Sequence, residues 1–155
     1  MKLALVGYGH LGKWHAQKSF SILGGDFCSI IEPDEEKHSL IQKEFPHISI
    51  HKNLEDAMGS IDALVIATPT KFHFENVKKG IEAKKHIFCE KPLTSTYKET
   101  LLIEEMIEKS NISLQVGHSE RFHQCWDEIS NYGDIDDVSI FRLNRLAPYK
   151  GRGVD

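Results

Sequence analysis

Four apolar residues near the start of the chain, Leu3-Ala4-Leu5-Val6, run directly into Gly7-Tyr8-Gly9-His10-Leu11-Gly12. A strand that ends in GxGxxG and continues as a helix leaves few folds open. Gly7 permits the tight turn, Gly9 lets a phosphate approach with no Cβ in its way, and Gly12 lets the helix pack closely on the strand. The helix N-terminus then offers free N–H groups and a partial positive charge to an anion. Gly7, Gly9, His10, Leu11 and Gly12 are therefore the candidate pyrophosphate-binding residues. Three glycines at this spacing also arise by chance; here a good strand precedes them and a plausible helix, Lys13-Trp14-His15-Ala16-Gln17-Lys18, follows.

The next apolar segment, Phe27-Cys28-Ser29-Ile30-Ile31, ends at Glu32, 20 residues beyond Gly12. That is the spacing of the carboxylate that bonds an adenosine ribose. A carboxylate accepts from the 2′- and 3′-hydroxyls and repels a 2′-phosphate. No arginine follows closely; the next residues are Pro33, Asp34, Glu35 and Glu36. The reading is NAD(H) in preference to NADP(H). The spacing leaves open a plainer role for Glu32, as the start of an acidic helix N-terminus.

The rest of the chain alternates. Strands are expected at Lys2–Val6, Phe27–Glu32, Ala63–Ala67, His86–Cys89, Ser113–Val116 and Asp137–Leu143, with a shorter one at Ile48–His51. Helices are expected at Leu11–Phe20, Asp34–Glu44, Asn53–Met58, Lys71–Ala83, Thr96–Lys109 and Glu120–Ser130. Leu3–Val6 and Leu64–Ala67 are all apolar, the pattern of strands covered on both faces, and Ser113–Val116, apolar at Leu114 and Val116, is expected to be covered likewise. Strand–helix alternation at this spacing gives right-handed βαβ units on a parallel sheet. Thr96 and Glu99 form a capping box, Asn53 is placed to cap Leu54–Met58, and Gly80 interrupts a helical pattern.

The fold class is thus α/β, a Rossmann-type doubly wound parallel sheet over residues 1–118. Residues 119–155 read as a partial helix–strand stub, the incomplete start of a second α+β domain; one helix and one strand cannot bury a core alone. An uncovered edge strand near Asp136–Asn144 would invite pairing with a second copy, so a homo-oligomer is one expectation.

Composition narrows the function classes. With 155 residues and a formal net charge of −4, and with no basic cluster, the chain is not expected to bind nucleic acid. Cys28, Cys89 and Cys125 are far apart and form no CxxC, so neither a disulfide framework nor a zinc site is supported, and a reducing cytoplasm fits. No apolar run approaches membrane-spanning length. Among the nine histidines, His118 and His123 are five apart, off the spacing of one helix face, and no metal site is expected.

Cys89-Glu90-Lys91-Pro92 falls at the end of an expected strand. In an open α/β sheet the ligand crevice lies outside the carboxyl ends of the strands. Glu90 and Lys91 therefore emerge where a nicotinamide would lie, and a partly buried lysine there could bond a substrate hydroxyl. Spacing alone equally allows a solvated surface pair.

Taken in order, Gly7–Gly12, Glu32, Ala67-Thr68-Pro69-Thr70 with His73 and Glu75, Glu90-Lys91-Pro92, and Val116-Gly117-His118 with Arg121-Phe122 resemble the Gfo/Idh/MocA family of NAD(P)-dependent sugar and polyol oxidoreductases. The Thr-Pro-Thr segment and the Gly-His-Ser-Glu-Arg-Phe stretch look most like members of the UDP-N-acetylglucosamine 3-dehydrogenase kind. The resemblance implies that Thr68, Pro69 and His73 line the cofactor crevice and that Glu90 contacts the nicotinamide ribose. It implies that Lys91 is the catalytic residue, touching cofactor and substrate hydroxyl, and that His118 and Arg121 bind substrate. It implies hydride transfer from a sugar, polyol or nucleotide-sugar carbinol to NAD, with a base from the second domain. Arg152-Gly153-Val154-Asp155 looks like the approach to that domain's motif. The expectation for this chain alone is therefore a dehydrogenase's cofactor domain without turnover. The alternative is a non-catalytic NAD-binding module or a truncated gene product.

Overall fold

The computed structural model describes residues 1–130 together with Ile140, Arg142 and Asn144. Six parallel strands form one sheet: β1 (Leu3–Val6), β2 (Phe27–Ile31), β3 (Ser49–His51), β4 (Ala63–Ile66), β5 (His86–Glu90) and β6 (Leu114–Gly117). Their order is β3-β2-β1-β4-β5-β6. The helices are α1 (His10–Leu23), α2 (His38–Glu44), α3 (His73–Glu82), α4 (Tyr97–Glu108) and α5 (Cys125–Ser130). The chain builds outward from β1 in one direction, then returns past β3 to lay β4 beside β1 in register, Leu3 opposite Ala63 and Val6 opposite Ile66. The reversal leaves a crevice at the carboxyl ends of β1 and β4, where doubly wound sheets hold their ligands.

The two-residue period of the strands divides the core in two. Leu3, Leu5, Ala63 and Val65 face one side, with Phe27 and Ile30, and bury Ala16 of α1 and Ile41 of α2. Ala4, Val6, Leu64 and Ile66 face the other, with Ile87 and Cys89, and bury Val77 and Ile81 of α3 and Ile103 of α4. Every residue of β1 and β4 is buried, as expected of central strands. Each fully buried Leu or Ile contributes about 1.5–3 kcal/mol.

Five local expectations change. Two consecutive 3-10 turns, Leu54–Asp56 and Met58–Ser60, replace the helix expected at Asn53–Met58, and the Asn53 side chain caps nothing. It reaches Asp56 instead, so the first amides keep no side-chain acceptor. The helices expected from Asp34 and Lys71 each begin with a 3-10 turn before the α-helix sets in at His38 and His73. Asp34 accepts from the Glu36 amide, which tightens that first turn. The helix expected over Glu120–Ser130 is broken into a 3-10 turn, Ser119–Phe122, and α5, because extended backbone at His123 intervenes. β6 is not covered on both faces: among the described residues it ends the sheet, its Gln115 is exposed, and Leu114 and Val116 are half-buried. A strand with one neighbour has less to pack against.

Other signals hold. Thr96 and Glu99 close the capping box in both directions. Gly80 sits inside α3 because a Cβ there would lie 2.8 Å from Ile87 and 3.0 Å from Leu64, so the glycine brings helix and sheet together. The chain divides into two units between Gly117 and His118. The turn and strand expected over Asn131–Asn144 lie outside the described residues, apart from isolated positions. So does the oligomer contact expected there. Among the described residues, no helix is long and apolar enough to cross a membrane.

Candidate functional site

The crevice begins at the glycine turn. Gly7 adopts a positive φ of 93°, and a Cβ there would meet Ala67 O at 3.0 Å, so a side chain is excluded by backbone and space together. A Cβ at Gly12 would lie 2.0 Å from Gly7 O. Only glycine lets α1 approach the strand end this closely. At Gly9 a Cβ would have open space around it. Room is what a phosphate needs at that position, and no side chain caps α1, so its first amides stay available to an anion. His10 and Leu11 both stand exposed, Leu11 at 46%.

Glu32 is 4% exposed just past β2. One carboxylate oxygen accepts the Tyr8 amide at 2.8 Å and the other accepts the Asp34 amide at 3.1 Å. The acid therefore bridges the end of β2 to the glycine turn and keeps spare lone pairs for a ribose hydroxyl. The plainer role, an acidic helix start, belongs instead to Asp34. The sequence reading overlooked Lys37, whose ammonium lies 3.3 Å from Glu32 and 3.4 Å from Asp34. The i,i+3 spacing from Asp34 is the signal that could have found it. Tyr8 was also overlooked: its hydroxyl donates to Glu44 at 2.6 Å, and burial first, then Glu44, holds its proton on well above the ordinary tyrosine range.

Across the crevice, β4 delivers Thr68 and Pro69. The Thr68 hydroxyl is buried without a hydrogen-bond partner, beside Gly7. An orphaned polar atom next to the glycine turn fits a site that receives a polar ligand. His73 is buried between the loops after β4 and β5. It is 1% exposed, with Nδ1 2.8 Å from Pro92 O and Nε2 2.8 Å from Thr68 O, so it braces two loops and offers no free nitrogen.

Glu90 ends β5 and Lys91 follows it in a turn closed by a cis Lys91–Pro92 bond. The partial burial expected of Lys91 is absent. The turn carries it past the strand end, and the side chain is exposed. Below it, burial first and then the Glu90 charge push the Cys89 thiol up to about 12, so it is no nucleophile. His118 and Arg121 are exposed in the second unit, where the Arg121 amide donates to His118 O at 3.0 Å. Among the described residues no group of His, Cys, Asp or Glu could hold a metal ion.

A parallel doubly wound sheet with a glycine turn after β1 and a buried acid after β2 defines a Rossmann dinucleotide-binding protein. Residues 1–118 match the oxidoreductase family Gfo/Idh/MocA, in its NAD-binding Rossmann fold, and the chain belongs to that family. It is 27% identical over its whole length to UDP-N-acetylglucosamine 3-dehydrogenase of Acidithiobacillus ferrooxidans, covering 48% of that protein. It is 32% identical to an inositol 2-dehydrogenase of Corynebacterium glutamicum, with 97% of this chain and 47% of that one aligned. A solved structure of the Acidithiobacillus enzyme superposes with a TM-score of 0.77 at 26% identity, covering 86% of this chain and 43% of that one. A scyllo-inositol dehydrogenase of Lactobacillus casei with bound NAD(H) and scyllo-inositol shares the fold at a TM-score of 0.75 and 24% identity, over 84% of this chain and 40% of that one. The chain spans about half the length of the curated relatives it matches.

Proposed function

We propose that this chain supplies the cofactor half of an NAD-dependent dehydrogenase acting on a hydroxyl of a sugar, polyol or nucleotide-sugar. In this reading residues 1–118 hold the cofactor and residues 119–155 begin the substrate domain. The observation that carries it is the placing of Gly9, Glu32 and Lys91 beyond the carboxyl ends of β1, β2 and β5 of one sheet. The amides of α1 take the pyrophosphate, with His10 and Leu11 in its first turn. Glu32 takes the adenosine ribose. Thr68 and Pro69 wall the crevice, braced by His73, and Glu90 meets the second ribose. Lys91, exposed and cationic, hydrogen-bonds the substrate hydroxyl. In the second unit, His118 and Arg121 are the proposed substrate-binding residues. A bound nicotinamide supplies the hydride acceptor.

The names of the relatives support the substrate class, since they include dehydrogenases of inositols and of a UDP-sugar. NADH titrated against the chain should raise its thermal midpoint. Ligand at 100 times its Kd stabilises by about 2.7 kcal/mol. An unchanged midpoint at millimolar NADH would count against the cofactor assignment. A panel of inositols and UDP-amino sugars, followed by NADH absorbance, separates a dehydrogenase from a non-catalytic NAD-binding module.

A further inference from the structure

Glu90 is held from several sides, and one of the holders lies far away in sequence. His15 of α1 places Nε2 2.8 Å from Glu90 Oε1, with the two side chains 24% and 14% exposed. The His15 ring packs against Phe88, 5.4 Å between centroids, so it has a wall behind it. The other carboxylate oxygen accepts the Lys91 amide at 3.2 Å. On the β6 side, a Cβ at Gly117 would lie 3.2 Å from Glu90 Cδ and Oε1 and 3.0 Å from Phe88. The carboxylate is thus fixed in place, with lone pairs left over for further donors.

Resting on the cofactor reading above, we infer that His15 is a positioning residue. It holds Glu90 so that the carboxylate accepts the hydroxyls of the nicotinamide-side ribose. The bond joins α1, whose N-terminus serves the pyrophosphate, to the turn that carries Lys91. The two ends of a dinucleotide are thereby gripped by mechanically linked elements. A preset acceptor also loses less side-chain freedom when ligand arrives. Gly117 contributes by absence: its missing side chain leaves the space that the carboxylate occupies.

NADH and ADP affinities of the whole chain test this, because ADP lacks the second ribose. Losing a hydrogen bond to a charged group should weaken NADH binding by His15→Ala about tenfold. ADP binding should stay within about twofold. His15→Gln keeps an N–H donor and should recover most of the loss. Gly117→Ala pushes on the same carboxylate from β6 and should also weaken NADH selectively, which tests the same geometry without touching α1. Equal losses for ADP and NADH in both variants, or no loss in either, overturn the role of His15. An unaltered chain that binds ADP and NADH equally well overturns the role of Glu90. An unaltered chain that binds neither nucleotide overturns the cofactor reading itself.

Discussion

The Glu32 carboxylate accepts two backbone amides, those of Tyr8 and Asp34, so its replacement removes more than the ribose partner proposed above. Glu32→Ala strands the buried Tyr8 amide and the partly buried Asp34 amide and should cost about 1–3 kcal/mol in urea unfolding, whereas Glu32→Gln keeps one acceptor oxygen and should cost less. Cys89 makes a prediction about pH. Its thiol ordinarily ionises near 9.0 and in the fold near 12. Between these values the unfolded chain has given up a proton that the folded chain retains. Stability is therefore full below about pH 9 and falls as pH rises, by up to about 1.4 kcal/mol per pH unit. Urea midpoints measured from pH 8 to 11 should show this decline, and Cys89→Ala should flatten it. Tyr8, also held protonated, would leave a smaller slope at the alkaline end. The glycines of the turn were legible because each answers a local demand of backbone geometry. The Tyr8–Glu44 bond was not, because its partners lie 36 positions apart and meet only through packing.

Helix ends show where local chemistry prevails and where it does not. The Thr96 box forms as its spacing predicts, and Thr96→Ala should lower stability by about 1 kcal/mol. Two glycine substitutions should separate packing against backbone from packing against side chains. At Gly12 the added Cβ meets the Gly7 carbonyl, which cannot yield without opening the turn, so Gly12→Ala should cost about 3 kcal/mol or more and abolish nucleotide binding. At Gly80 it meets the mobile ends of Ile87 and Leu64. Better helix propensity then offsets about 1 kcal/mol of the strain, and Gly80→Ala should cost less than Gly12→Ala in the same unfolding assay. Asn53 illustrates the opposite outcome. It has the residue type of a cap, but the two short turns after it never build an α-helix to be capped.

The doubly wound sheet follows from alternation and handedness, since parallel strands need crossovers and these turn one way. The pattern of apolar runs identified the strands and the α/β class, and the glycines with Glu32 identified a dinucleotide. These signals are local: the turn, the strand period and the cap are each set within a few residues of chain. Strand order was another matter. It decides that β6 lies, among the described residues, at the end of the sheet with Gln115 in solvent, although Ser113–Val116 is expected to be covered on both faces. It also decides that His15 meets Glu90, that His73 braces the loops after β4 and β5, and that Lys91 stands clear of the core. Such pairs come from elements that become neighbours only when the whole sheet has closed, and no spacing along the chain encodes which side chains will face each other there.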